Sequence, residues 1–324
     1  MSESESEIET EKHFVLAIDA GGTKTLGLLK CLESEETWCF RAGSASLSYN
    51  LSNACQQIFD VAQTLLQKAS CPANQVVLVC GVAGAGNSIN RKALEDKLNP
   101  LFHKVIVSND GRTSLYGAGL GDPMIVLAMG TGSVAIRLDK NKIETQFGGW
   151  GFIAGDLGSG AYMGKQLVSL ALVQLDKQQL KCDILMNETV SRMLSKQQLK
   201  GKDNKESKEI NQAIAEWIQN ATATEYASFA PLIFEYADQS IFAQKILKDA
   251  ALWIEDLAET AGYKSEQFGD IPITIIGGLA QAIKPYLSNE FFSTLVSAKG
   301  SALDGALFIG EEYLLKKKLK KNKK

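Results

Sequence analysis

The sequence predicts an α/β protein with two similar lobes, because strands alternate with helices and part of the chain repeats. Short apolar, β-branched runs are separated by longer stretches with helical periodicity; these runs lie at 14–18, 76–80, 104–107, 124–128 and 272–276. Such alternation is typical of α/β folds. A chain of 324 residues that is 45% hydrophobic can also fill a large core divided between two domains.

The repeat relates residues 17–29, "AIDAGGTKTLGLL", to residues 125–137, "IVLAMGTGSVAIR", at an offset of 108. Small and hydroxyl residues coincide: Ala20, Gly22, Thr23 and Thr25 fall on Ala128, Gly130, Thr131 and Ser133. Each copy therefore predicts a strand, a turn and a second strand, with the second strands at 25–31 and 133–138. Only the first copy carries an acid, because Asp19 aligns with Leu127.

Composition excludes several classes of function. The net charge of −3 does not indicate a nucleic-acid partner, and the apolar runs are too short to span a membrane. Six cysteines without a C-x-x-C motif, and no signal peptide, lead us to expect a reducing, cytoplasmic location. With only two histidines, any general base is expected to be a carboxylate, Lys, Tyr or Cys.

The two ends of the chain are charged in opposite senses. Residues 1–13 open with five Glu and one Lys before position 13 and predict a disordered acidic tail. The last nine residues contain seven Lys, and we expect 313–324 to form a basic tail that frays from a terminal helix into solvent.

Both turns of the repeat supply what a nucleoside triphosphate requires. Glycines let backbone N–H groups approach phosphate, short hydroxyls add donors, and a carboxylate suits magnesium. The candidate phosphate contacts are Gly21, Gly22, Thr23, Lys24 and Thr25 in the first turn and Gly130, Thr131, Gly132 and Ser133 in the second, with Asp19 for the metal. Ordinary tight turns are the alternative, but their occurrence at the repeat offset favours phosphate binding.

A third glycine-rich stretch, "GVAGAGNS" at 81–88, has the glycine spacing of a Walker A loop. Asn87 stands where the phosphate-binding Lys is required, so we do not interpret it as a P-loop. It is better interpreted as a turn at the end of a strand that faces a second substrate, with Gly84 as a candidate contact.

Asp110 follows the strand in "VIVSNDGRTS" and is the candidate general base. Phosphoryl transfer requires little basicity, because the attacking alcohol loses its proton late in a loose transition state. The alternative role for Asp110 is a helix N-cap.

The stretch "GGWGFIAGDLGSGAYMGKQ" at 148–166 has six glycines within its first thirteen residues, together with two candidate substrate contacts, Trp150 and Asp156. Gly149 belongs to the same set, and N-capping is the alternative for Asp156. Further on, "ITIIGGLAQAI" predicts a strand, a turn and a helix, in which Gly277 and Gly278 could lie against an adenine ring.

In this order, the motifs resemble those of the N-acetylglucosamine kinase and BadF-type ATPase family, within the superfamily of sugar kinases, actin and heat-shock ATPases. The resemblance spans about residues 14–312. Segments such as "DLGSGAYMG" at 156–164 and "SALDGALFIG" at 301–310 are most similar to bacterial glucosamine kinases.

The resemblance implies two ribonuclease-H-like lobes with a central nucleotide and sugar cleft, at 14–118 and 119–312, with the last helix packing back on the first lobe. It implies ATP with Mg²⁺, and transfer of phosphate to the 6-hydroxyl of an amino sugar. By position, Asp110 matches the base, Asp156 the sugar-side aspartate and Asp19 the residue that binds Mg²⁺ through water. The family usually places an Asn after a Gly-Ser/Thr stretch, whereas "GSAS" here offers Ser46.

Two other functions remain open at this stage: an ATPase activator of CoA-ester dehydratases or reductases, and a non-catalytic sugar sensor. The activators carry iron–sulfur cysteines beside the second turn, where this chain has "LAMGTGS". We favour glucosamine over N-acetylglucosamine as the substrate, because the motif segments resemble those of glucosamine kinases more closely and Asp110 and Asp156 suit a free ammonium group. N-acetylglucosamine remains the alternative, because Trp150 and Phe152 are candidates for the apolar pocket that an acetyl group requires. A homodimer remains open.

Overall fold

The chain folds into two compact units, seen in a computed structural model that describes residues 13–47, 50–196 and 207–321. Unit 1 comprises the chain up to Asp122 and again from Ser297 onward, and unit 2 comprises Pro123–Val296. Nearly all of the predicted acidic tail and the last three residues of the basic tail lie outside the described residues.

Unit 1 contains a five-stranded mixed sheet. Its strands are β1 (Phe14–Ala20), β2 (Thr25–Cys31), β3 (Thr37–Ala42), β4 (Val76–Val82) and β5 (Lys104–Ser108), in the spatial order β3-β2-β1-β4-β5. The first three strands are antiparallel neighbours, whereas β1, β4 and β5 run parallel. The central strands β1 and β4 are buried on both faces, which explains their continuous apolar runs.

Unit 2 contains a four-stranded sheet with the same plan. Its strands are β6 (Met124–Met129), β7 (Ser133–Leu138), β8 (Glu144–Gly148) and β9 (Ile273–Ile276), in the order β8-β7-β6-β9. Strands β6, β7 and β8 are antiparallel neighbours, and β9 runs parallel to β6. The four strands of unit 2 therefore correspond in order to β3, β2, β1 and β4 of unit 1, so that the repeat seen in the sequence extends to a third strand, β3 in unit 1 and β8 in unit 2.

The helices, in chain order, are α1 (Leu51–Lys68), α2 (Ser88–Leu98), α3 (Asp110–Gly119), α4 (Gly160–Asp176), α5 (Ile184–Lys196), α6 (Ser207–Asn220), α7 (Ala223–Ala227), α8 (Ala230–Glu235), α9 (Ile241–Thr260), α10 (Ala280–Ile283), α11 (Asn289–Thr294) and α12 (Ala302–Lys321). Within the described part of the chain, none is both long and apolar enough to cross a membrane.

The strands predicted from apolar runs and hairpins are all confirmed, whereas β3 and β8 were not predicted. Both are edge strands, and every residue of each retains some exposure to solvent. Neither contains a continuous apolar run like those of the central strands: in β3 the half-buried Trp38, Phe40 and Ala42 alternate with exposed residues, and in β8 Phe147 is the one large apolar residue. The fold class, an α/β protein with two lobes, is confirmed.

Each face of the unit 1 sheet has its own core. Residues such as Leu16 and Ile18 pack with α1, while Val15 and Val79 on the opposite face pack against α12. Unit 2 has one large core, to which α9 and α4 contribute more buried residues than any other described helix.

The predicted second lobe extends to residue 312, whereas the final segment of the chain belongs to unit 1. The chain returns to unit 1 at Ser297, and α12 continues as a helix to Lys321, through most of the segment predicted as a basic tail. Packing accounts for this course, because Ala306 and Ile309 are buried against the sheet of unit 1.

Helices α3 and α12 cross with their backbones in contact. A Cβ on Gly305 would overlap the carbonyl oxygen of Thr113, and a Cβ on Gly117 would overlap the carbonyl oxygen of Ser301. Both clashes are with backbone, so no side-chain rotation could relieve them.

We therefore expect Gly305→Ala to lower the free energy of unfolding by about 3 kcal/mol, because the helices would have to separate. Gly86→Ala is the matched control, because a Cβ there would meet no atom within 4 Å. Thermal and urea unfolding measure both variants. Equal stability of the two would contradict the backbone contact between α3 and α12.

Candidate functional site

The first turn joins β1 to β2 and exposes its tip. The Gly21 N–H donates to the Lys24 carbonyl at 3.0 Å and closes the turn. Gly22, Thr23 and Lys24 are exposed, and their backbone N–H groups have no acceptor among the described residues. Such amides are available to an anion at close approach.

Two loops of unit 1 are held against this turn by backbone hydrogen bonds of 2.9 Å. The Ala45 N–H donates to Gly21, and the Ala83 N–H donates to Ala20. These bonds bring the predicted substrate residues Ser46 and Gly84 to the same edge of the sheet. Ser46 is only 7% exposed, and its hydroxyl donates to the Ala83 carbonyl at 3.4 Å.

Asn87, in the stretch with the glycine spacing of a Walker A loop, has a structural role. The side-chain oxygen of Asn87 accepts hydrogen bonds from the N–H groups of Ile89 and Asn90, at 2.9 and 3.2 Å, and so caps α2. This agrees with the interpretation of 81–88 as a turn rather than a P-loop.

Asp110 is the first residue of α3, and it does not cap that helix. The cap is Asn109, whose side-chain oxygen accepts from the Arg112 N–H at 2.7 Å. Capping, the alternative role left open for Asp110, is therefore performed by its neighbour. The Asp110 carboxylate accepts hydrogen bonds from its own N–H and from the Gly111 N–H, the latter at 3.1 Å.

Asp19 and Asp110 interact electrostatically in unit 1. Burial raises the pKa of the Asp19 carboxyl, the negative charge of Asp110 raises it further, and Lys24 opposes the change. Burial also raises the pKa of Asp110, although its own N–H and that of Gly111 partly lower it. The residue Asp110 keeps exposed surface, but protein atoms around the carboxyl displace enough water to raise its pKa.

The second turn joins β6 to β7 and repeats the design of the first. The Gly130 N–H donates to the Gly132 carbonyl at 3.0 Å. The N–H groups of Thr131 and Gly132 have no acceptor in the described part of the chain, and Thr131 is exposed.

The residues at the base of the two turns differ from those at the tips. The Thr25 hydroxyl donates to the Gly43 carbonyl at 2.7 Å, and the Ser133 hydroxyl donates to the Leu157 carbonyl at 2.8 Å. Thr25 is fully buried and Ser133 is 4% exposed. Both hydroxyl protons, predicted as phosphate donors, are thus already donated to protein carbonyls in this structure.

Asp156 lies against the second turn and is not a helix cap. Helix α4 is capped by Ser159, which accepts from the Tyr162 N–H at 3.2 Å. The N–H groups of Ser133 and Gly151 donate to the Asp156 carboxylate; burial raises its pKa, and these two bonds partly lower it. Its φ of 54° is left-handed, an unfavourable conformation that the surrounding loop maintains.

The two aromatic residues of the glycine-rich loop have opposite environments. Trp150 is 84% exposed, whereas Phe152 packs against Tyr226 with the two rings tilted and their centroids 5.0 Å apart. Trp150 is therefore exposed to solvent, while Phe152 anchors the loop to the core of unit 2.

Gly277 and Gly278 follow β9, next to the second turn in the same unit. Residue Ile276 on β9 pairs with Ala128 on β6, so both strands end at the same edge. A Cβ on Gly277 would overlap the Met129 carbonyl, and its φ is 99°, so packing alone requires glycine there. A Cβ on Gly278 or Gly130 would meet no atom of the described residues within 4 Å.

Sequence reasoning missed the caps and the loop contacts that define this site. Asn109 and Ser159 are both good N-cap residues adjacent to, or three positions from, the predicted aspartates. The known preference for Asn and Ser at N-cap positions was the signal that could have identified these two caps. No sequence signal identified the Leu157 carbonyl as the acceptor for Ser133.

The contrast between adjacent glycines is testable with an ATP analogue. We expect Gly278→Ala to retain the melting temperature and to weaken nucleotide binding by about tenfold, because its methyl group would occupy space that only a ligand uses. Gly277→Ala, the matched control, is expected to lower the melting temperature. Calorimetric titration with the ATP analogue measures the affinity of each variant, and thermal unfolding measures its melting temperature. Unaltered affinity in Gly278→Ala would show that Gly278 does not contact the nucleotide.

Comparison with known proteins places the chain in a family. It is 26% identical over 302 residues to a glucosamine kinase of Vibrio cholerae, covering 91% of this chain and 95% of that one. It is also 26% identical over 317 residues to an N-acetylmuramic acid/N-acetylglucosamine kinase of Clostridium acetobutylicum, covering 91% and 97%. A solved structure from Chromobacterium violaceum, described as a candidate N-acetylglucosamine kinase, superposes with a TM-score of 0.78 at 26% identity, covering 92% and 99%. The profile of the BadF/BadG/BcrA/BcrD ATPase family matches residues 16–309, and the chain belongs to that family.

Proposed function

We propose that this protein is an ATP-dependent amino-sugar kinase, which transfers the γ-phosphate of ATP to the 6-hydroxyl of glucosamine. The observation that carries the proposal is the Asp110 carboxylate, which is relieved of helix capping by Asn109 and lies near a second carboxylate, Asp19. Membership in an ATPase family implies the nucleotide, and the names of relatives at 26% identity support the acceptor class.

Asp110 is the general base of the proposed reaction. Its carboxylate orients the sugar hydroxyl and accepts its proton, while the hydroxyl oxygen forms a bond to the γ-phosphorus. The bond from that phosphorus to the bridging oxygen breaks, and ADP leaves with the electron pair. Asp156, Trp150 and Gly149 in unit 2, with Ser46 and Gly84 in unit 1, are the proposed substrate contacts.

The tips of the two turns are the proposed phosphate contacts, through the amides of residues 22–24 and 131–132 and the side chain of Lys24. At Gly130 and Gly278 a Cβ would meet no described atom within 4 Å, so protein packing does not explain why these residues are glycines. Both are therefore assigned to close approach of the nucleotide to the backbone of unit 2. Gly277 positions that turn.

Asp19 is a suitable partner for magnesium. No group of three or more His, Cys, Asp or Glu side chains that could hold a metal occurs among the residues that the structure describes. Mg²⁺ is commonly held by one carboxylate, water and substrate phosphates, and this arrangement requires only Asp19. A bound cation would also reduce the repulsion between the Asp19 and Asp110 carboxylates. When bound, Mg²⁺ would neutralise charge on the phosphates.

Glucosamine is preferred to its acetylated form on two grounds. A free ammonium group is stabilised by carboxylates, which Asp110 and Asp156 provide. An acetyl group requires an apolar pocket, but Phe152, one of its two candidate walls, packs against Tyr226 instead.

The activator function is disfavoured by the position of the cysteines. An iron–sulfur cluster requires thiolates beside the second turn, in residues such as 127–133, and that segment has none. Cys80, on β4 of unit 1, is fully buried, and burial raises the pKa of its thiol, which is unfavourable for metal binding.

Asp110→Asn is expected to lower kcat by about 100-fold or more, because the amide cannot accept the proton. In the wild type, the raised pKa keeps Asp110 protonated at pH values where an ordinary aspartate is ionised, so kcat should fall as pH decreases through that raised pKa.

The same pKa shift means that protonated Asp110 favours folding, so its contribution to stability is lost as pH rises through the raised pKa. The Asn variant should therefore gain thermal stability relative to wild type as pH increases from about 4. A variant with normal turnover would exclude Asp110 as the base.

A coupled assay with MgATP and four sugars tests the acceptor: glucosamine, N-acetylglucosamine, glucose and N-acetylmannosamine. We expect the highest kcat/KM for glucosamine, because a site built for one group leaves a buried partner unpaired with the other. Preference for N-acetylglucosamine would overturn the choice of sugar only. ATP hydrolysis with no phosphorylated sugar would contradict the kinase.

A further inference from the structure

We propose that Ser133 is a positioning residue that joins the second phosphate turn to the glycine-rich loop at 148–160, so that nucleotide binding and sugar binding reinforce each other. The inference extends the proposed function, because it assigns the turn to the nucleotide and the loop to the sugar. It gives Ser133 a role different from the phosphate contact expected from its sequence.

Every polar group of Ser133 is directed to the glycine-rich loop. Its hydroxyl donates to the Leu157 carbonyl at 2.8 Å, its N–H donates to the Asp156 carboxylate, and its carbonyl accepts from the Gly149 N–H at 3.1 Å. With 4% of its surface exposed, the residue offers phosphate little access. The three bonds instead hold the first residue of β7 to both ends of the loop.

The rest of the turn is held to the same loop region. The Gly160 N–H donates to Gly130 at 2.9 Å, and the Ala161 N–H donates to Thr131 at 3.1 Å. A Cβ on Gly132 would lie 2.7 Å from an Asp156 carboxylate oxygen, so the lack of a side chain there provides space for that carboxylate. The turn and the loop therefore cannot move separately without breaking several bonds.

The sequence repeat supplies independent support, because the same device occurs in unit 1. Thr25 occupies the position of Ser133, is fully buried, and donates its hydroxyl to the Gly43 carbonyl at 2.7 Å. The Ala45 N–H in the same loop donates to Gly21 in the first turn. In both copies, a buried hydroxyl at the base of the turn binds the following loop, while the tip remains exposed.

A shared framework of this kind predicts thermodynamic coupling. Phosphate at the Thr131 and Gly132 amides orders the turn, and Ser133 transmits that order to the loop that carries Trp150 and Asp156. Sugar binding then costs less ordering of the loop, and the reverse effect on nucleotide affinity is equal in size.

The test measures the dissociation constant of Mg–AMP-PNP by calorimetry, with and without saturating glucosamine. We expect the sugar to increase wild-type affinity by about fivefold or more, the lower end of ordinary coupling, and by less than twofold in Ser133→Ala. Ser133→Thr should restore the coupling, because Thr25 shows that a threonine fits at this position of the repeat. Wild-type coupling in Ser133→Ala would overturn the proposal.

Thr189→Val is the matched control in the same unit. Thr189 is fully buried and donates its hydroxyl to the Leu185 carbonyl at 2.7 Å, within α5 and apart from both the turn and the loop. It should lose stability comparably and keep the coupling. Equal loss of coupling in both variants would show a general effect of destabilisation and would overturn a specific role for Ser133.

Hydrogen exchange with Mg–AMP-PNP alone separates this inference from the proposed function. The nucleotide should protect amides of residues 148–160 in the wild type and not in Ser133→Ala. A wild type that phosphorylates glucosamine without this protection would overturn the role of Ser133 alone. Protection in a protein that phosphorylates none of the four sugars would overturn the kinase alone.

Discussion

The organisation of both turns depends on a buried hydroxyl that binds the backbone of the following loop. Thr25 in unit 1 and Ser133 in unit 2 form this bond, and in each case the loop contributes further N–H donors to the turn. Because only the base of the turn is held, the amides of residues 22–24 and 131–132 at its tip have no acceptor among the residues that the structure describes. Such N–H groups can become ordered around an anion when one binds.

The charges of two neighbouring carboxylates, Asp19 and Asp110, lower the stability of unit 1. Asp19 and Asp110 repel each other in a partly dehydrated environment, and the pKa of each is raised. The first turn of a helix stabilises a nearby anion and partly compensates at Asp110. Paired carboxylates in such an environment are characteristic of functional sites, where local rules of stability are often broken.

The repeated sheets have diverged in chemistry while keeping their strand order. At the position of Asp19, unit 2 has Leu127, which is fully buried in its core. Unit 2 has instead the glycines that face open space, Gly130 and Gly278, and a carboxylate that arrives from the loop, Asp156. One copy therefore supplies the acids at the end of β1 and the start of α3, and the other supplies access to its backbone.

The sequence by itself determined the α/β class, the repeat, the central strands and the candidate residues, because apolar periodicity and glycine turns are local signals. It did not reveal β3 and β8, whose edge positions leave both faces partly exposed. It also left Asp110 and Asp156 as either caps or functional acids. Only the tertiary structure excluded capping as the role of these two acids, because it shows that Asn109 caps α3 and Ser159 caps α4. Which polar residue caps a helix depends on where the helix begins. The commitment of the Thr25 and Ser133 hydroxyls was likewise decided by loops 18 and 24 residues away in sequence, which no local pattern specifies.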